Sequence, residues 1–259
     1  MKIQNFNWES TKQFSVLQLL LSFIIPSLLG FVGFRIVLPI FVKNGIPVII
    51  AWHFVAFIML LFLVIIAVIL LILEAKQLNI SVMARMCLKK LSLKQWLIYI
   101  VIIVVGIGII MLSTQFVEPF IKITGINIPD YMPFFLNPTI NLATTDISVL
   151  SPGFPLKGQI ILLPLIVVTL SLNILAEELY FRAWILPKIT KYGNIGWIAN
   201  GILFALYHTF QLWLLPTLIT GSLVFAFIIY RSKSILPALV AHLITNFLFT
   251  ILGITMLII

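Results

Sequence analysis

Residues 47–73, PVIIAWHFVAFIMLLFLVIIAVILLIL, decide the fold: they carry no charged side chain and a single histidine, His53. The run exceeds the roughly 18–20 apolar residues that cross a hydrocarbon core about 30 Å thick. In lipid, backbone groups find no water, so such a segment spans as a helix. Working outward, further apolar runs cover about 14–34, 96–117, 159–186, 196–210, 212–230 and 235–257. Seven spans are expected, and an eighth if apolar parts of 120–150 re-enter the membrane.

Composition agrees. Of 259 residues, 62% are apolar and 9% charged, and the mean hydropathy is +1.23. A water-soluble domain of this size could not keep a wettable surface. The fold class is therefore all-α, a polytopic transmembrane bundle with an intramembrane cavity. No repeat and no soluble domain stands out. The single cysteine, Cys87, excludes an internal disulfide framework and a cysteine metal cluster. No cleavable signal peptide is evident, and the first apolar run reads as a retained helix.

The net charge of +9 reads as topology rather than as a nucleic-acid surface. With the N-terminus inside, Lys2, Lys12, Lys76, Arg85, Lys89, Lys90, Lys94, Lys188, Lys191, Arg231 and Lys233 fall on the cytoplasmic face. Arg35, Lys43, Lys122 and Lys157 fall on the other, and Arg182 lies within a span. Eleven against four is the bias that the positive-inside rule expects. The N-terminal helices occupy 1–117, with a basic amphipathic segment at about 80–95 that reads as a helix lying at anionic headgroups. Residues 118–158 hold six prolines and read as an irregular connection, either a surface loop or a cap over a cavity. Residues 159–259 form the polar-bearing core.

The acidic residues are seven, and five lie in termini, helix ends or loops. Glu177 and Glu178 do not: they sit in Leu172-Asn173-Ile174-Leu175-Ala176-Glu177-Glu178-Leu179-Tyr180-Phe181-Arg182. Charge inside a span costs ~2.5–3.5 kcal/mol or more and points to function. Glu178 and Arg182, four apart, are expected to form an ion pair. Glu177 points about 100° away and lacks that partner, which suits a general base. His208 follows Phe204, and His242 and Asn246 share one helix face. With ~1.5 Å rise per residue, counting from the flanking lysines places Glu177, His208 and His242 about 13–18 Å deep, in one layer on three helices. His53, without a polar companion in the sequence, reads as a packing residue.

Glu177-Glu178-x-x-x-Arg182, Phe204-x-x-x-His208 and His242-x-x-x-Asn246, in this order on late helices, resemble the CAAX protease and bacteriocin-processing family (CPBP), which includes the type II CAAX prenyl endopeptidases. The resemblance covers roughly residues 160–250. It implies an intramembrane endopeptidase whose conical cavity opens from the cytoplasmic side. It further implies Glu177 as catalytic acid/base, His208 as its helper in activating water, and His242 with Asn246 as the oxyanion site. Glu178 and Arg182 would be the supporting pair.

Peptide hydrolysis needs an activated water and donors at the developing oxyanion, which these residue types supply. Glu177, His208 and His242 could instead share zinc or another divalent metal, as in His₂Glu peptidases. No His-Glu-x-x-His helix is present, however, and the reading favours chemistry without a cofactor. The expected partners are the lipid bilayer and a membrane-associated peptide or protein substrate, prenylated or amphipathic, with no nucleic acid. The sequence sets no oligomeric state. The Ile- and Lys-rich composition suggests a bacterial cell-membrane protein. Two other classes share such residues: a non-catalytic bacteriocin-immunity or binding protein of the same family, and a small proton-coupled transporter. The transporter reading expects repeated halves.

Overall fold

The computed structural model describes residues 6–141, 144–146, 150–248, 250, 251 and 255. Among these, seven helices of ten or more residues occur: α1 Val16–Lys43, α2 Val48–Gln77, α3 Leu93–Thr124, α4 Leu162–Tyr192, α5 Asn194–Tyr207, α6 Thr209–Ser232 and α7 Leu236–Phe247. All but α5 and α7 are long and apolar enough to cross a membrane, and no strand occurs among the described residues. The chain is thus an all-helical, multi-pass membrane protein. Its outward faces are apolar: Leu17, Val101 and Val104 are all more than 60% exposed. That surface is stable only against lipid.

Local chemistry sets the helix ends. Ser15 with Gln18, and Ser92 with Gln95, form reciprocal capping boxes that open α1 and α3. Both helices run further than the apolar runs suggest. α1 continues through a π turn, Val32–Val37, to Lys43, and α3 reaches Thr124, taking the first part of the expected 118–158 connection. Among the described residues the rest of that connection includes a short 3₁₀ turn, Phe134–Leu136, and no eighth spanning helix; 142, 143 and 147–149 of the expected re-entrant stretch lie outside the described residues. It folds back on the bundle. Phe134 packs with Ile49, Leu162 and Ile166, and the Trp213 indole donates to the Leu136 carbonyl at 2.7 Å.

The helices alternate in direction, so their ends gather into two opposed caps. One cap collects the end of α2, the starts of α3 and α5, the end of α4 and the end of α6, and with them Lys76, Lys94, Lys188, Lys191 and Arg231. Here Glu74 accepts from Arg85 Nε at 2.8 Å and Nη2 at 2.5 Å, from the Trp184 indole at 3.0 Å, and from Lys188. Arg85 also donates to the carbonyls of Ala183 at 2.6 Å and Trp184 at 3.2 Å. Pro187 has no N–H to offer the Ala183 carbonyl one turn back, and Arg85 supplies the missing donor. The expected amphipathic helix at 80–95 is accordingly reduced to one turn, Val82–Arg85. Arg85, expected at the lipid headgroups, is wholly buried, because Glu74 and two freed carbonyls offer it more bonds than the surface would.

Candidate active site

The three motif-bearing segments leave regular α geometry where their polar residues lie. α4 is α-helical to Glu177 and becomes a π turn over Glu178–Ile185. α7 is α-helical to His242 and becomes a π turn over Leu243–Leu248. α5 ends at Tyr207, leaving His208 in the kink before α6 with φ −76° and ψ 49°. Single π turns inside α-helices recur at functional sites. α5 and α6 pack closely because Gly201 faces the Leu223 backbone, where a Cβ would lie 3.1 Å from the Leu223 Cα.

These segments bring Glu177, His208, His242 and Asn246 into one buried cluster. Glu177 Oε1 lies 3.6 Å from His208 Nε2, and Glu177 Oε2 lies 3.6 Å from His242 Nε2. The Asn173 amide, one turn before, donates to Glu177 Oε1 at 2.7 Å. The outer nitrogens of both imidazoles are committed. His208 Nδ1 lies 2.9 Å from the Phe204 carbonyl, which can only accept, so Nδ1 carries the proton. His242 Nδ1 lies 3.0 Å from Glu178 Oε1, and the carboxylate accepts in the same way. Neutral His208 so arranged turns its Nε2 lone pair toward Glu177, whereas His242 Nε2 accepts from the Asn246 amide at 2.9 Å.

The expected Glu178–Arg182 ion pair is not made: no contact within 4.0 Å joins them. Each finds another partner. Glu178 binds His242. Arg182 donates to Asn200 Oδ1 at 2.6 Å, reaches the Ser222 carbonyl at 3.5 Å and stacks 4.2 Å above the Phe204 ring. Asn200 in turn donates to the Phe181 carbonyl at 2.9 Å. Arg182 thereby ties α4 to α5 and α6, and Glu178 ties α4 to α7.

Among the described residues no three His, Cys, Asp or Glu side chains are gathered as metal ligands. A metal held by Glu177, His208 and His242 would need the His242 Nε2 lone pair, which here accepts from Asn246.

A cavity of about 350 Å³ adjoins the cluster. Glu177, Asn173 and Thr169 line it from α4, His53 and Met59 from α2, and Phe135 from the connection. The α2 and α4 positions run from mid-helix toward the ends remote from Lys188 and Arg85. On the other side of Glu177, the wholly buried Phe181, Ile185 and Ile189 close the bundle. The cavity therefore extends away from the basic cap. Sequence reasoning also passed over Asn173, Asn200 and His53 as site residues. Asn173 carried a readable signal, an amide at i−4 from Glu177.

No curated protein and no solved structure matches this chain. A family model does: residues 159–248 match Type II CAAX prenyl endopeptidase Rce1-like. That segment contains Glu177, Glu178, Arg182, His208, His242 and Asn246. The match to that family is confined to the C-terminal helices that build the site.

Proposed function

We propose that this protein hydrolyses a peptide bond of a membrane-associated peptide within the bilayer. The observation that carries this reading is the Glu177 carboxylate set between two imidazole Nε2 atoms, each 3.6 Å away, at the wall of a cavity. At 3.6 Å these groups do not bond directly. A water against Glu177 and His208, ~2.7–3.0 Å from each, could donate one proton to each acceptor. In that pose the water oxygen attacks the peptide carbonyl carbon as Glu177 takes its proton. The C–O bond forms, the carbonyl oxygen becomes an oxyanion, and the same proton passes to the departing amide nitrogen as the C–N bond breaks.

Asn246 is the oxyanion donor in this scheme. One amide N–H is held by His242, which leaves the other for the substrate. His242, bonded to Glu178 on one side and Asn246 on the other, then acts by positioning the amide. A positioned donor of this kind is worth about 10²–10³ in turnover in a dry site. Water activation proceeds on Glu177 and His208 with no step through a metal. The substrate approaches from the end remote from the basic cap, which is the extracytoplasmic side if the basic cap is cytoplasmic.

The test is cleavage of an apolar-peptide library by the purified protein in lipid, run in ¹⁸O-labelled water with and without a chelator. The expected result is one solvent oxygen in each new carboxylate and a rate that the chelator leaves unchanged. No cleavage by the wild-type chain would overturn the peptidase reading, and loss of cleavage with chelator would overturn the metal-independent one.

A further inference from the structure

His53 reads from the sequence as a lone packing histidine, yet it lines the same cavity as Glu177. It is 3% exposed, and neither ring nitrogen has a hydrogen-bond partner. The Trp52 indole N–H beside it is also buried and unpartnered. Buried polar groups without partners are costly, and native structures hold few of them.

The side chain covering these groups is Phe135. Its ring stands edge-on to Trp52 with centroids 5.3 Å apart, and lies 5.9 Å from the His53 ring. Phe135 comes from the connection between α3 and α4, from a single short 3₁₀ turn, and it also lines the cavity. It provides an aromatic body and no polar atom. The pocket it fills has aromatic walls, completed by Phe34 against Trp52 at 5.3 Å, and a polar floor that phenylalanine cannot satisfy. A neutral imidazole offers one donor and one acceptor, and the indole offers one donor. Neither Phe34, Trp52, His53 nor Phe135 carries a charge, so an ionised side chain would find no counter-ion there.

We infer that Trp52, His53 and Phe135 mark a substrate subsite for an aromatic side chain with a polar edge, tyrosine above all, which Phe135 occupies in the free protein. The inference rests on the peptidase reading above. A tyrosine of the substrate displaces Phe135, keeps its ring contacts and gives its hydroxyl to His53, which Phe135 leaves unpaired. Selectivity follows from the polar floor. Sites built to bond a hydroxyl discriminate strongly against the analogue that lacks it, because the site's own groups are then left unpaired.

The experiment uses paired peptides drawn from the cleaved library, identical except for tyrosine or phenylalanine next to the cut bond, with KM and kcat measured separately. For wild-type protein the tyrosine peptide is expected to have a kcat/KM about tenfold or more higher. His53→Leu should bring the ratio close to one, and His53→Gln, which keeps a donor and an acceptor, should retain a preference. Phe135→Ala should lower KM for the tyrosine peptide, since nothing then has to be displaced. If wild-type protein cleaves but shows no tyrosine preference, or His53→Leu keeps it in full, the subsite is wrong while the peptidase stands. If wild-type protein cleaves nothing, both fall.

Discussion

Two glutamates of this bundle are each surrounded by three nitrogen-bearing side chains and have opposite characters. Glu74, in the basic cap, is held by Arg85, Lys188 and the Trp184 indole, with its bonds to Arg85 and Trp184 at 2.5–3.0 Å. Glu177, mid-bundle, faces two imidazoles and the Asn173 amide, and the imidazoles stand off at 3.6 Å. Around Glu74 the bonding is saturated, and the arginine goes on to close two backbone carbonyls. Around Glu177 the His208 Nε2 lone pair is unspent, and the carboxylate, bonded by Asn173 alone, lines a cavity. The difference between a structural and a reactive carboxylate here lies in unspent hydrogen-bonding capacity rather than in composition or burial.

That contrast can be broken first at the saturated site. Arg85→Met leaves Glu74 with Lys188 and the Trp184 indole, and uncaps the Ala183 and Trp184 carbonyls. Removing one partner of a buried pair costs about 3 kcal/mol or more, which at this chain length lowers Tm by roughly 6–12 °C. Thermal unfolding in detergent checks it, and an unchanged Tm would mean that the basic cap does not hold α4 in place. A smaller effect sharpens the same picture. Cys87 lies in this cap, fully enclosed, and burial pushes its thiol up to about 12, against a lesser opposing pull from Arg85. At pH 8 almost no thiolate exists, so a maleimide should label the folded protein negligibly and the unfolded protein fully. Rapid labelling of folded protein would show that the cap is open.

Much of the fold was legible because lipid makes the code simple. Residues 47–73 read as a span and form α2, Val48–Gln77, since an uncharged apolar run of that length has few other stable forms. The grouping of Glu177, His208, His242 and Asn246 was legible for the same reason: polar residues at equal depth in adjacent helices avoid lipid by meeting one another. Other features were hidden. The Glu178–Arg182 pair follows from local i,i+4 spacing, whereas the partners each takes, His242 and Asn200, come from other helices. Arg85 looked like a headgroup lysine's neighbour because its partner, Glu74, is eleven residues away across a turn. His53 looked solitary because the residues that share its cavity come from α1, α4, α6 and the α3–α4 connection. The direction of the cavity was invisible too, since it depends on which half of the bundle is filled by Phe181, Ile185 and Ile189.

The most direct test is to exchange the Glu177 carboxylate for an amide of the same shape. Glu177→Gln should fold with the wild-type Tm, because Asn173 and the cavity walls remain, and should lose about 10²–10⁴-fold in peptide cleavage, the usual weight of a general base. A variant that cuts the library peptides at the wild-type rate would contradict the account, since the carboxylate between two imidazoles would then have no part in the chemistry.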